Sequence, residues 1–422
     1  MKNVVIKNTL YLTIGSFVSK GLMFALLVFL ARSLNPEEYG YYVTAIQLVS
    51  IVAVVSNMGF DMTIIRESAK LDSKEREELQ YSIFPFRLFF AIVGLVIVLI
   101  IPNFIDYDEK IKLYILYLSP LILLGGMVTS GITAHLLTSL RITEKMQEVS
   151  MFEIIRILSL VSIFMLFIYV FRVNVSVEIF ISSILLSLIL AQFYLHHRVK
   201  KYYHSLFVFK FDFALFNRLK NSFFLFGLIS ILSVIIRRVD MQMISTLKNS
   251  YEVGLYSASW QVVNIGMVVM ISFAMSLFPN SVRKMSQESY RNKLFRNLTI
   301  VSVTISILFF ILSPLLKDIT LFIYGEAYVE SAKILSILIF FLPIRLFGLW
   351  GTQVLEINNR LWIIIAILFV PFLVNIILNY MWIPQYGAYG ASIASIISIS
   401  ITAILTNYTA YIFLKREADD EK

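Results

Sequence analysis

The sequence predicts an all-α polytopic membrane protein of about twelve transmembrane helices, set as two six-helix lobes in parallel repeat around a central cavity. Three observations predict it. The 422 residues are 59% hydrophobic and only 15% charged, with a mean hydropathy of +0.81, whereas soluble domains run at roughly 45–50% apolar and about 25% charged. A dozen apolar stretches approach the ~20 residues that cross a bilayer. A short pattern in the first half also returns in the second at a fixed offset.

Residues 9–33 form the first expected span. It is read as retained, because no small-residue cleavage site precedes a soluble domain. Spans 40–62, 82–101, 113–138, 151–171 and 176–195 complete the first half. The second half holds 222–247, 254–278, 298–316, 332–354, 362–383 and 388–413. The apolar part of the seventh, 222–236, is too short to cross alone, so that span is carried on through its charges. Pro36 and Pro384, with the glycines beside them, end helices at expected outside turns.

Lys and Arg set the orientation. With the N-terminus in the cytoplasm, 23 of the 36 basic residues fall in inside segments and seven in outside loops. Both termini are therefore expected in the cytoplasm. The expected organisation is an N-lobe over 1–196, a basic and aromatic cytoplasmic linker over 197–221, a C-lobe over 222–413 and a tail over 414–422. Such a linker is suited to the headgroup layer of the bilayer. The net charge of +9 is assigned to these inside segments, with no nucleic-acid partner.

Gly40, Tyr42, Gln47 and Val49 are matched by Gly254, Tyr256, Gln261 and Val263, each 214 residues later. Duplication of a six-span unit in one orientation gives parallel repeats, an arrangement common in transporters.

Ionisable residues at bilayer depth are costly and face an interior cavity or a partner. Lys20 lies about 18 Å along its span, Arg237 and Arg238 about 22 Å and Arg345 about 20 Å. These four are the candidate substrate-binding cations of a positively charged lumen. Arg87 and Arg156 sit near the cytoplasmic face, within snorkelling reach. Asp61 and Asp240 are the candidate acids for coupling to Na⁺ or H⁺, or for pairing; Asp240 shares a helix face with Arg237. Gln47, Gln261, Asn264 and Asn375 are candidate polar lumen residues, and helix-to-helix bonding is the other reading of each.

No catalytic residue or metal site is expected. There is no cysteine, no phosphate loop and no paired-histidine zinc motif. No outside loop is long enough for an external catalytic domain.

Four blocks carry a family resemblance. They are Leu30 to Gly40 (LARSLNPEEYG) with Gly59, Ile65, Arg66 and Glu67; Val253 to Ala258 (VGLYSA) after Asp240; Tyr324 to Tyr328 (YGEAY) with Ala332 and Leu335; and Ile383 to Ser392 (IPQYGAYGAS) after Asn375, Leu378 and Asn379. Their order and spacing resemble the Wzx-type polysaccharide transporters of the multidrug/oligosaccharidyl-lipid/polysaccharide superfamily. The resemblance implies a non-enzymatic flippase of the bacterial cytoplasmic membrane. It would move an undecaprenyl-pyrophosphate-linked repeat unit to the outer leaflet by alternating access, for O-antigen, capsule or exopolysaccharide. A polysaccharide polymerase and a chain-length regulator are the implied partners. No cofactor is expected beyond a coupling ion. A drug–cation antiporter, a lipid II flippase and a membrane repeat-unit polymerase are the alternatives.

Overall fold

The computed structural model describes residues 2–69, 71–125, 130–203, 209, 211–285, 287–358 and 360–420. Its regular elements among these residues are all helical. The first half contains α1 (Lys2–Ser33), α2 (Pro36–Asn57), α3 (Phe60–Ser68), α4 (Ser73–Ile100), α5 (Glu109–Leu118), α6 (Leu121–Leu124), α7 (Gly131–Ile142), α8 (Met146–Met165) and α9 (Val177–Val199). The second contains α10 (Phe213–Leu247), α11 (Ser250–Lys284), α12 (Glu288–Leu312), α13 (Leu316–Tyr324), α14 (Ser331–Leu338), α15 (Phe341–Phe347), α16 (Leu349–Ile357) and α17 (Leu361–Asp420).

Among the described residues, ten helical segments are long and apolar enough to cross a membrane. The last, Trp362–Arg416, joins two spans through Gly387, whose φ of 57° lies outside helical geometry. The expected span 113–138 is built from the short helices α5, α6 and α7, with Gly125 at φ 83° ending α6. The protein is thus a polytopic helical membrane protein. Sequence-local chemistry starts several helices. Asp72 and Glu75 form a capping box on α4, and Asn35 and Asn249 each accept the backbone N–H three residues on, at 2.8 and 3.0 Å.

The chain divides into two compact units. One comprises Met1–Leu34 and Tyr41–Arg238; the other comprises Asn35–Gly40 and Val239–Lys422. Residues 222–238, expected in the C-lobe, therefore group with the first unit. The cause is packing. Phe60, Ile64, Leu79, Ile83, Phe86, Leu219 and Phe223 share one buried cluster, which fixes the start of α10 against α3 and α4. Gly59, at φ 71°, lies so close to α10 that a Cβ would stand 2.3 Å from the Gly227 nitrogen. The aromatic linker packs on the same surface: Phe216 stacks on Phe86 at 4.6 Å, and the Tyr203 hydroxyl donates to the Ser139 carbonyl at 3.1 Å. Burial pushes the Tyr203 phenol up to about 12. Residues 204–208 and 210 of the linker lie outside the described residues.

In the second unit, Leu346, Trp350, Val354 and Leu355 pack with Leu294, Leu298, Ile367 and Ala410. Its tenth span is interrupted: α15 ends at Phe347, and α16 starts after Gly348. Asn407 bridges the interruption. Its Oδ1 accepts from the Gly351 N–H at 2.9 Å, and its Nδ2 donates to the Phe347 carbonyl at 3.1 Å. Backbone groups in hydrocarbon must be satisfied by protein, and here a side chain does so. The turn at Gly387 is held similarly: the Ala388 N–H donates to Glu252 at 2.9 Å, and Lys248 donates to the Pro384 carbonyl at 3.1 Å.

Candidate functional site

Three groups of intramembrane polar residues emerge. In the first unit, α2 and α3 are separated by Met58 and Gly59, both with positive φ. Across this break, Asn57 donates to Asp61 at 3.1 Å. Arg87 Nη1 donates to Asp61 at 2.8 Å, and Thr138 Oγ1 lies 2.6 Å from the same carboxylate. The Arg87 side chain is 1% exposed, and its guanidinium lies 5.7 Å from the Phe60 ring centroid. This corrects the snorkelling reading of Arg87, whose long side chain turns inward to a carboxylate. Asp61 and Arg87 form a buried ion pair.

Arg238, also in the first unit, donates to Gln47 Oε1 at 2.5 Å. A cation on α10 and an amide on α2, 191 residues apart, are thereby joined. The Lys20 side chain on α1 is exposed. The backbone of Arg237 is helical, and its side chain lies outside the described ones.

Asp240 anchors the group in the second unit. It is buried and accepts three bonds: from Tyr256 at 2.9 Å, Ser395 at 2.5 Å and Asn379 Nδ2 at 2.8 Å. Asn379 also donates to Asn375 at 3.0 Å. Among the described residues, no Lys or Arg forms an ion pair with Asp240. The buried Oδ1 of Asn379 has no hydrogen-bond partner there. The cluster therefore combines one carboxylate with hydroxyl and amide oxygens, a donor set that suits a proton or a hard cation.

The remaining expected residues lie apart from these groups. Gln261 donates to the Tyr39 hydroxyl, Asn264 is exposed, and Arg345 stands half-buried at the end of α15. Sequence reasoning missed Arg87, Thr138 and Ser395 as partners. Tyr256 carried a signal, because it belongs to the repeated pattern.

The sequence profile described as polysaccharide biosynthesis protein matches residues 5–285, well over half of the chain. The chain belongs to the polysaccharide biosynthesis protein family. A second profile, MatE, matches residues 226–381 of this family member. A relative from Haloferax volcanii, named probable flippase AglR, is 28% identical over 161 residues, covering 36% of this chain and 33% of the relative. The matched stretch thus spans about a third of that relative's length. Among solved structures, the lipid II flippase MurJ in an inward closed conformation aligns with a TM-score of 0.74 at 16% identity, over 94% of this chain and 87% of that one. An inward-facing multidrug resistance MATE family transporter of the MOP superfamily aligns with a TM-score of 0.66 at 14% identity, over 95% of each chain. These likenesses give the family member its fold.

Proposed function

We propose that this protein is a flippase that carries an undecaprenyl-pyrophosphate-linked oligosaccharide repeat unit from the cytoplasmic to the outer leaflet. The observation that carries the reading is membership of the polysaccharide biosynthesis protein family by a chain that is polytopic and helical. Synthesis of a surface polysaccharide needs such a step. Sugar hydroxyls and a diphosphate lose their hydration in hydrocarbon, so the substrate does not cross unaided. The names of the Haloferax relative and of MurJ support the same activity class.

In this reading, alternating access carries the polar head through the protein while the polyprenyl tail stays in lipid. Lys20, Arg237, Arg238 and Arg345 face the anionic substrate, and Gln47 orients Arg238 through its bond. An inside-negative potential drives the anion outward, at about 2.3 kcal/mol per charge per 100 mV. Asp240, with Ser395, Asn375 and Asn379, is the proposed site for a coupling Na⁺ or H⁺. The proposed location is the bacterial cytoplasmic membrane with both termini inside. A polymerase and a chain-length regulator then act on the translocated unit. A drug–cation antiporter is the second reading, and Asp240 as a buried acid without a basic partner among the described residues favours it.

The test is the leaflet position of the lipid-linked repeat unit in cells lacking the gene, labelled from outside in spheroplasts. The flippase reading expects an intermediate that stays unlabelled until the gene is restored. Equal labelling without the gene overturns it and promotes antiport.

A further inference from the structure

The aromatic linker is the segment to which the flippase reading gives no task. Phe209 packs on Phe84 at 5.5 Å, and Phe211 and Phe213 pack on Phe86 at 5.1 and 5.5 Å. Phe211 and Phe213 also stack on each other at 5.8 Å. Even so, the three residues are 69%, 48% and 65% exposed. Each ring rests on α4 with part of its surface left bare. Phe84 and Phe86 stand where α4 passes from its charged start, SKEREELQ, to its apolar run, so the rings sit at the edge of the hydrocarbon. α10 changes character at its own start. Leu219 and Phe223 are buried on one face, while the exposed face runs from Asn217, Arg218 and Asn221 to Phe224, which is 66% exposed. All of these residues belong to the first unit.

Charge around the rings is one-sided. From His196 to Asn221 the chain carries six Lys and Arg and one acid. That acid, Asp212, accepts the Leu215 N–H at 2.9 Å and so caps the start of α10. Arg198 is held by Glu148 at 2.6 Å, whereas Lys200, Lys201, Arg218 and Lys220 are exposed. Tyr203 fixes the two lysines beside the rings: it bonds Ser139, one turn from His135, and His135 packs on Phe84 at 4.8 Å. Of the acids at the neighbouring start of α4, Asp72 and Glu75 cap that helix, and Glu77 accepts from the Tyr81 hydroxyl. A bare aromatic surface bordered by cations suits a leaflet with anionic headgroups. Zwitterionic lipid would cover the rings without a net charge to match the cations. A soluble anion would match the cations and leave the rings in water.

We propose that the linker and the start of α10 form a docking surface for anionic phospholipid. Phe209, Phe211 and Phe213 enter the headgroup–acyl boundary, and Lys200, Lys201, Arg218 and Lys220 meet the phosphates. This surface works whatever the cargo, so it goes beyond the flippase reading; with both termini inside, it engages the cytoplasmic leaflet.

The chain has no cysteine, so an Ala214→Cys variant of the full-length protein carries a single thiol for a fluorophore, on an exposed residue next to Phe213. An Ala327→Cys variant places the same reporter three spans later, at the other end of the helices. Each would be set in phosphatidylcholine nanodiscs containing a small fraction of chain-doxylated phosphatidylglycerol or of phosphatidylcholine with the same doxyl chain. The docking surface expects phosphatidylglycerol to be enriched over phosphatidylcholine at least about fivefold around position 214, the ratio that one well-placed cation gives, and to show no enrichment around 327. In about 1 M salt, which shortens the reach of charge to ~3 Å, the enrichment should vanish. Changing Lys200, Lys201, Arg218 and Lys220 together to Gln should abolish it too. Equal quenching by the two lipids at 214 overturns the proposal, as does a preference that survives both salt and charge removal. Quenching by neither lipid also overturns it, since the segment would then lie off the bilayer under water or another protein. The salt series uses the charged protein itself, so it decides the matter even if the fourfold variant fails to fold.

Discussion

Gly40 and Gly254 pack reciprocally against each other's helix starts. A Cβ on Gly40 would stand 1.8 Å from the Ser250 carbonyl oxygen, and one on Gly254 would stand 1.9 Å from the Pro36 carbonyl oxygen. Pro36 and Ser250 are separated by the same 214 residues as the two glycines, and so are the capping residues Asn35 and Asn249. The repeat is therefore expressed as one reciprocal close contact between the starts of α2 and α11. Small residues allow such close backbone approach between membrane helices.

Gly254→Val, or Gly40→Val, should force this crossing apart. The expected cost is about 1–3 kcal/mol, as for other overpacked sites, read as a lower melting temperature in detergent. A Cβ on Gly21 would meet nothing within 4 Å, so Gly21→Ala is the control and should not lower it. Equal melting of all three variants would show that the close crossing adds no stability.

The Asp61–Arg87 pair makes a prediction about stability rather than transport. Asp61→Asn or Arg87→Met alone leaves a buried partner uncompensated and should cost about 3–5 kcal/mol. The double variant should recover part of that loss. A thermodynamic cycle on the purified protein measures the coupling, and strictly additive losses would contradict the pairing.

Asp240→Asn should leave folding nearly unchanged, because an amide oxygen still accepts from Tyr256, Ser395 or Asn379. Flipping in proteoliposomes should then lose its dependence on an imposed Na⁺ or pH gradient. A variant that follows the gradient as the parent does would place coupling elsewhere.

Arg238→Ala should reduce flipping by about tenfold or more, the ratio that 1.4 kcal/mol of lost interaction gives. Gln47→Leu removes only the group that orients the guanidinium, so its loss should be smaller and Arg238→Lys should not mimic it. Leaflet labelling at matched protein levels distinguishes the three.

The apolar spans were legible because hydropathy is a local property. Their interruptions were less so. Gly125 reads as an ordinary glycine in an apolar run, and its φ of 83° follows from neighbours that periodicity does not name. The placement of residues 222–238 also depended on distant packing, since Phe223 meets Phe60 across 163 residues. Asp240 stood out as a deep acid, and helical spacing suggested Arg237 beside it. The partners described are hydroxyls and an amide 16 to 155 residues away, on α11 and α17. Arg87 was hidden for a similar reason: its depth near one face suggested an outward reach, and the carboxylate that turns it inward lies on another helix. Asn264 shows the converse, an amide in a span that is exposed.

The Asn407 bridge gives the tenth span two ways to be satisfied. The Phe347 carbonyl and the Gly351 N–H stand four residues apart, the spacing of an ordinary α-helical bond. With the amide inserted, each is bonded to Asn407. With the amide withdrawn and the helix straightened, they can bond each other. Straightening at Gly348 would therefore keep both backbone groups bonded, and the cost would fall on the Asn407 amide, which is 7% exposed and would need new partners.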